Sequence, residues 1–401
     1  MRFGLIGRHL GHSYSPEIHR QLHGNDYQLV PMEPAQLHAF FVRRAFDGIN
    51  VTIPYKKDAM AFCDTLGETA RRAGCVNTIV RRSDGTLYGD NTDLVGFQFM
   101  LNQAGISLVG KHVFIVGNGG ASLTVQLACA DAKAASVTIA DKDDSKVCPQ
   151  AQVIINTSPI GMYPNVNATP VDLRNYPALE AAADLIYNPR RTRFLQQAQQ
   201  LGLTHVDGLS MLVAQAAAAA ALWGLSCSDT QHALNNFGAS LENWVLIGMP
   251  GCGKSSLGAY LAEQSGRKFV DLDRAISTHV GMSPGEFIQQ RGEAVFRDIE
   301  SEVAAQVGLQ TGLVIATGGG AVLRPENVQA LRQNGKLLWI MRDPAHLPTQ
   351  GRPLSTDLEA LWQTRKPAYQ MAADFMVEHN EDWEQLQQRA LKILNCAGGI
   401  S

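Results

Sequence analysis

Gly248-Met249-Pro250-Gly251-Cys252-Gly253-Lys254-Ser255 follows the apolar run Val245–Ile247 and opens a segment of helix-forming residues. The spacing G-x-x-x-x-G-K-[ST] between a strand and a helix is that of a phosphate loop. Its glycines let backbone N–H groups turn inward around a triphosphate, and the following helix presents its positive end. Lys254 is placed to reach the β- and γ-phosphates of ATP and Ser255 to ligate Mg²⁺, while Gly251, Gly253 and Ser256 complete the cradle. A second glycine cluster, Gly117-Asn118-Gly119-Gly120-Ala121, stands about 130 residues earlier, behind the strand-like run Val113–Val116. One doubly wound sheet rarely needs two such loops, so two nucleotide-binding sheets are expected.

Further β-branched runs at Val137–Ala140, Val153–Asn156 and Leu313–Ala316 alternate with helix-length segments. That alternation predicts βαβ units, parallel sheets and the α/β class. At roughly 100–200 residues per domain, 401 residues make two to four domains. With 34 Lys and Arg against 37 Asp and Glu there is no basic excess, which excludes duplex nucleic acid as the expected partner. The 45% apolar fraction and net charge of -3 exclude wholesale disorder, and 37 Gly with 17 Pro exclude a collagen-like chain.

The seven cysteines are scattered without a Cys-x-x-Cys pair, which predicts reduced thiols and a cytoplasmic protein. Met1–Gly7 reads as a strand and a turn, without the apolar core of a signal peptide. The most apolar stretch, Leu212–Trp223, carries Gln215 and ends at Gly224, far short of the ~18 apolar residues of a membrane span. A buried helix is expected there, within an Ala-rich helical run from Ser210 to His232. Asn235–Ser240 reads as a helix stop and short linker, which places the main boundary near residue 238.

The second half adds chemistry to its phosphate loop. Asp271-Leu272-Asp273 ends the next strand, where alternation puts both carboxylates on one face. One is placed to hold Mg²⁺ through water, the other to accept a hydroxyl proton. Arg297 and Glu300 share a helix face, a spacing that alone reads as a surface ion pair. Thr317-Gly318-Gly319-Gly320 lets a ligand approach the backbone at a strand end. Gly351-Arg352-Pro353-Leu354 and Arg365-Lys366-Pro367-Ala368-Tyr369 add two arginines in a loop-rich region.

This set, in this order, resembles shikimate kinase over most of residues 244–390, a P-loop fold of the nucleoside-monophosphate-kinase type. The resemblance implies that Arg297 and Arg365 grip a substrate carboxylate and that Asp273, Gly319 and Gly320 hold hydroxyls. It also implies that Asp271 supports Mg²⁺ through water and that Arg352 stabilises the transferring phosphoryl from a lid. Bidentate Arg suits a carboxylate, and placed cations suit the charge on equatorial oxygens. Two features depart from the family. The stretch from Met341 to Gly351 is shorter and lacks the arginine that packs on adenine, and Val377–Asp382 is acidic where the family is basic.

The first half carries three polar segments ahead of its glycine loop. Ser13 and Ser15 stand two apart, Gly48–Lys56 ends a strand with a lysine, and Gly89-Asp90-Asn91-Thr92-Asp93 is a turn leading into a helix. Alone these read as a capping motif, a surface charge and an N-cap. Their order, continued by Ala73-Gly74-x-Val76-Asn77-Thr78, the Gly117 loop, Tyr187-Asn188-Pro189 and Met211–Gln215, resembles shikimate dehydrogenase over residues 1–225. The resemblance implies that Lys56 and Asp93 form the catalytic pair. Ser13, Ser15, Thr52, Asn77, Tyr187 and Gln215 then line the substrate pocket. Gly117, Gly119, Gly120, Ala121, Asp141, Lys142 and Gly208 then hold the nicotinamide cofactor, in a Rossmann-like sheet.

Asp141 argues for NAD through the ribose 2′-OH, while Lys142 and Lys146 argue for NADP. NADP is the expected cofactor, with NAD as the alternative. Only Val147–Gln152 separate Lys146 from Val153, where the family has a helix and a strand, so this sheet is expected to be trimmed.

The expected organisation is a substrate domain at 1–92, completed by the helix near 210–235, a dinucleotide domain at 93–237 and a kinase domain at 238–401. The expected function is reduction of 3-dehydroshikimate to shikimate with NADPH, then phosphorylation of the shikimate 3-hydroxyl with Mg-ATP. A second reading keeps one half as a sensing or scaffolding module. Against it, Lys56, Asp93, Lys254, Asp273 and Arg297 are all present. A third is an NAD-dependent dehydrogenase acting on quinate, which Asp141 permits. No membrane partner and no particular oligomeric state is implied.

Overall fold

Asn243–Ile247 is buried at every residue, as befits a strand covered by helices on both faces. A computed structural model gives the structure over residues 2–11, 13–141, 148–347, 358–379 and 382–396. The chain divides into two compact units, Met1–Phe237 and Gly238–Ser401.

The first unit holds two sheets. Strands β1 (Phe3–Gly7), β2 (Tyr27–Pro31), β3 (Gly48–Val51), β4 (Thr65–Leu66), β5 (Thr78–Arg81) and β6 (Leu87–Asp90) form a mixed sheet in the order β2-β1-β3-β5-β6-β4. Strand β5 runs antiparallel to both β3 and β6. One face buries Ile6, Phe41, Phe46, Ile49 and Tyr55. On the other, Phe3, Leu5 and Tyr27 pack on Ala219, Ala220 and Trp223 from the end of the Leu209–Leu222 helix. Late residues thus cover the first sheet. Gly48 lets the Trp223 ring lie against the sheet, since a Cβ there would stand 2.5 Å from it.

Strands β7 (His112–Val116), β8 (Ser136–Ala140), β9 (Val153–Asn156), β10 (Ala181–Asp184) and β11 (Thr204–Val206) form a parallel sheet in the order β11-β10-β9-β7-β8. Between Ala140 and Val153 the described residues contain neither helix nor strand, so β8 is an edge. Lys142, Lys146 and Val147 lie outside the described residues.

In the second unit, β12 (Asn243–Ile247), β13 (Lys268–Asp271), β14 (Leu313–Ala316), β15 (Gly335–Met341) and β16 (Phe375–Glu378) form a third sheet. It is parallel throughout, in the order β13-β14-β12-β15-β16. Among the described residues no helix is long and apolar enough to cross a membrane.

Four local expectations are corrected. The Ala-rich run is two helices, Leu209–Leu222 and Thr230–Leu241, broken at Gly224, whose φ of 73° is left-handed. Asn235–Ser240 is no linker, because the Thr230–Leu241 helix continues through it. Asn235, Asn236 and Gly238 lie inside that helix, where the helix-forming residues around them outweigh their weak individual propensities. Asp271 and Asp273 do not alternate along a strand. Asp271 ends β13 and caps the helix Leu272–Val280, whose first turn contains Asp273. Arg365 lies in the helix Leu358–Ala372, which continues past the internal Pro367 because Tyr369 and Ala372 are anchored in the core.

Candidate active sites

In the first unit, Lys56 follows β3 and Asp93 begins the helix Asp93–Gln103. Lys56 Nζ donates to Asp93 Oδ2 at 2.6 Å, and both side chains are largely buried. Asn77 Nδ2 donates to the other oxygen, Asp93 Oδ1, at 2.8 Å. Asn77 Oδ1 in turn accepts from Thr92 N at 2.8 Å. Behind it, Asn50 Nδ2 donates to Asn77 O and to Thr78 Oγ1, while Asn50 Oδ1 accepts from Tyr27 at 2.8 Å. This buried network of placed donors and acceptors fixes the Lys56–Asp93 geometry before a ligand arrives.

Ser13 Oγ donates to Ser15 Oγ at 3.1 Å where the Ser15–His23 helix starts. Tyr14, between them, sits 5.5 Å from Tyr187, ring to ring. Burial, then Tyr187, pushes the Tyr14 phenol up to about 12. Thr52 lies just past β3, its methyl 2.5 Å from where a Cβ on Gly7 would stand. Gln215, on the Leu209–Leu222 helix, donates to Leu212 O.

The glycine loop after β7 comes close to this lysine: a Cβ on Gly120 would lie 4.0 Å from Lys56 Cδ. Gly117 has φ 110°, and Gly119 precedes the Gly120–Asp131 helix without a side-chain cap, so the helix N–H groups are left for a ligand. Around Gly119 an added Cβ meets nothing within 4 Å, room that a pyrophosphate requires. Ala121 continues the same first turn. Gly208 serves packing, since a Cβ there would stand 2.1 Å from Leu185 O. Asp141 immediately follows β8, whereas Lys142 lies outside the described residues.

In the second unit the phosphate loop joins β12 to the helix Lys254–Ser265, with Gly251 at φ 86° and Gly253 at φ 98°. Lys254 Nζ donates to Gly248 O and Met249 O, each at 2.8 Å. Ser255 donates to Asp271 Oδ2 at 2.6 Å, and Ser256 follows on the same turn. Among the described residues no three His, Cys, Asp or Glu side chains gather to hold a metal. A serine backed by one carboxylate suits Mg²⁺, which keeps several waters and takes oxygens from phosphates.

A cleft of about 550 Å³ runs from this loop past Asp273, Arg297, Glu300, Gly318–Gly320 and Arg365. Arg297 is held at 2.7 Å by Glu300 and at 3.0 Å by Glu293. Glu300 is only 1% exposed, so it is no surface partner, and burial raises its carboxyl. The Asp273 carboxyl is also raised, first by the protein around it and then by the Asp271 charge, against Lys254 and Arg297. A raised carboxyl suits a proton acceptor. Gly320 lets the Arg297 guanidinium approach, and Tyr369 donates to Gly319 O, pinning the glycine run. Arg352 lies outside the described residues.

No role for Tyr27, Asn50, Glu293 or Tyr369 follows from the sequence, although Asn50 and Tyr369 stand inside the motifs that carry the resemblances. No motif marks Asn50 or Tyr27 as supports, but Glu293 stands four residues before Arg297, an ion-pair spacing that could have been read.

The fold and sites define two enzymes on one chain, a dinucleotide-linked oxidoreductase and a P-loop phosphotransferase. The family model described as shikimate dehydrogenase substrate binding domain matches residues 5–79, and that of shikimate kinase matches residues 250–396. Shikimate dehydrogenase (NADP(+)) of Clostridium perfringens strain SM101 is 36% identical over 252 residues, covering 55% of this chain and 91% of the relative.

Two solved structures extend the likeness. The chorismate mutase/shikimate 5-dehydrogenase fusion protein of Clostridium acetobutylicum superposes with TM-score 0.54 at 32% identity, covering 59% of this chain and 96% of the other. Shikimate 5-dehydrogenase of Thermus thermophilus, in complex with NADP(H) and shikimate, gives TM-score 0.53 at 31% identity over 59% and 99%. The chain belongs to the shikimate dehydrogenase family and carries a shikimate kinase domain after it. It is a bifunctional enzyme of the shikimate pathway.

Proposed function

We propose that the first unit reduces 3-dehydroshikimate to shikimate with NADPH and that the second phosphorylates the shikimate 3-hydroxyl with Mg-ATP. The observation that carries this is the buried Lys56–Asp93 pair beside Gly120, on the same chain as a phosphate loop facing Arg297 and Asp273. NADPH, when bound along Gly117–Ala121, supplies the hydride. Lys56 donates the proton that the developing alkoxide needs, and Asp93, oriented by Asn77, holds Lys56 and a substrate hydroxyl in place. Ser13, Ser15, Thr52, Tyr187 and Gln215 surround the acid.

In the kinase unit, Arg297 and Arg365 hold the acceptor carboxylate. Asp273 receives the hydroxyl proton, and Lys254 and Arg352 offset the charge of the transferring phosphoryl. Ser255, with Asp271 behind it, would hold Mg²⁺, which screens charge between the phosphates. Functionally the chain then reads as 1–92 for substrate, 93–237 for dinucleotide and 238–401 for kinase. Six free thiols among the described residues support a cytoplasmic setting.

A one-pot assay with 3-dehydroshikimate, NADPH, ATP and Mg²⁺ tests this by following nicotinamide absorbance and ADP release. Both signals are expected, and NADPH oxidation without ADP release would sink the kinase claim. Asp141 at the end of β8 favours NAD as a second reading, so a tenfold or larger preference for NADH in kcat/KM would replace NADP.

A further inference from the structure

Tyr27 stands on β2, the edge strand of the first sheet, and its side chain is buried. His19, from the Ser15–His23 helix, stacks on its ring with centroids 4.0 Å apart and planes 10° apart. His19 is buried too, and burial, then the neighbouring His23, holds its imidazole down at about 3, so the stack is uncharged at neutral pH. This packing fixes where the phenol points.

The phenol meets both ends of the substrate site. Its O–H donates to Asn50 Oδ1 at 2.8 Å. Asn50 Nδ2 in turn donates to Asn77 O at 3.2 Å and to Thr78 Oγ1 at 2.9 Å, and Thr78 Oγ1 donates to Asn77 Oδ1 at 3.0 Å. Asn77, which holds Asp93 Oδ1, is thus braced at its backbone and at its side chain. On the other side Ser15 hydrogen-bonds to the phenol: burial pushes the Tyr27 hydroxyl well above its ordinary range, and Ser15 opposes the rise. Ser15 also accepts from Ser13 at 3.1 Å. A phenol gives one proton and receives on its oxygen, so Tyr27 can donate to Asn50 and accept from Ser15 together. Ser15, Asn50, Asn77 and Thr78 are all buried, so a broken link leaves a polar group unmet.

We propose that Tyr27 is a positioning residue for the reduction: its one hydroxyl braces both the serine pair that receives the acid and the asparagine pair that sets Asp93 and Lys56. The proposal rests on the dehydrogenase reading above. Tyr27 acts through Ser15 and Asn50, not on the ketone itself. Its packing and its hydrogen bonds are separable, because phenylalanine keeps the ring on His19 and removes only the hydroxyl.

The experiment is steady-state reduction of 3-dehydroshikimate by the full chain, with NADPH affinity read from nicotinamide fluorescence. Tyr27→Phe is expected to lower kcat roughly 10–100-fold, since a displacement of about 1 Å at a positioning group can cost as much as ~100-fold. KM for 3-dehydroshikimate should rise about threefold or more, the worth of one neutral hydrogen bond at the serine pair. NADPH affinity should hold. When Ser15→Ala is added to Tyr27→Phe, the rise in KM should fall short of the product of the single rises, because the two residues act as one unit. Unchanged kcat and KM in Tyr27→Phe would overturn the proposal. A change in only one of them would overturn it by confining Tyr27 to one end of the site, and KM rises that multiply would do so by separating Tyr27 from Ser15. A parallel loss of NADPH affinity would also overturn it, by making the hydroxyl a support of the whole unit. If the unaltered chain did not reduce 3-dehydroshikimate, the dehydrogenase reading itself would fall and the proposal with it.

Discussion

Lys56 Nζ and Asp93 Oδ2 meet at 2.6 Å inside the first unit, and Asn77 holds the other carboxylate oxygen. The pair joins the end of one strand to the start of one helix, 37 residues apart. Positioned proton transfer contributes about 10²–10⁴-fold. Lys56→Ala should therefore cut reduction by about that factor and spare ADP release from the kinase. Equal loss of both activities in a folded variant would refute the division of labour.

Lys254 gives the mirror experiment. Its ammonium donates to the loop carbonyls of Gly248 and Met249, contacts it must exchange for phosphate oxygens. Lys254→Ala is expected to abolish phosphoryl transfer, with NADPH oxidation at its original rate. Both rates can be read in the same cuvette, and a slowed dehydrogenase would count against independence of the two sites.

Gly320 has an ordinary φ of -103°, so alanine fits its backbone. The new Cβ would nevertheless stand 2.4 Å from Arg297 Nη2 and 2.6 Å from Nη1. The guanidinium must move. A displacement of about 1 Å at a positioning group can cost as much as ~100-fold, so kcat/KM for shikimate should fall roughly 10–100-fold in Gly320→Ala. ADP affinity, set by the loop, should stay constant. A parallel fall in ADP affinity would show that Gly320 acts on the loop instead.

Asp184, at the end of β10, is fully buried and accepts from Thr192, Asn156 and Ile186 N. Burial raises its carboxyl from 3.8 to about 7, outweighing those hydrogen bonds. The unfolded chain therefore loses this proton near pH 4 and the folded chain only near pH 7. Its stabilising effect is full below about pH 4 and is lost as pH rises through about 7, by at most ~4 kcal/mol. Asp184→Asn should flatten urea-unfolding stability of the first unit between pH 5 and 8 and make the unit more stable at pH 8. A slope unchanged by the substitution would assign the pH dependence elsewhere.

The two glycine loops, their preceding strands and the separation between them were legible because each loop is local: about eight residues carry the strand end, the turn and the helix start. So were Lys56, Asp93, Asp273 and Arg297 as candidates. The sequence alone determined that the chain is α/β, that it has two nucleotide loops, and which side chains bear charge near them. Only the tertiary structure decided that Asn235–Ser240 continues a helix, since single-residue propensity is a weak guide against the helix around it. It also decided that Asp271 caps a helix instead of sharing a strand face with Asp273, and that Glu300 is buried. The Asn50–Tyr27 support and the ring of Trp383 against Gly253 belong to the same class. These contacts join residues far apart in the chain, and their energies come from desolvation and packing that no local pattern records.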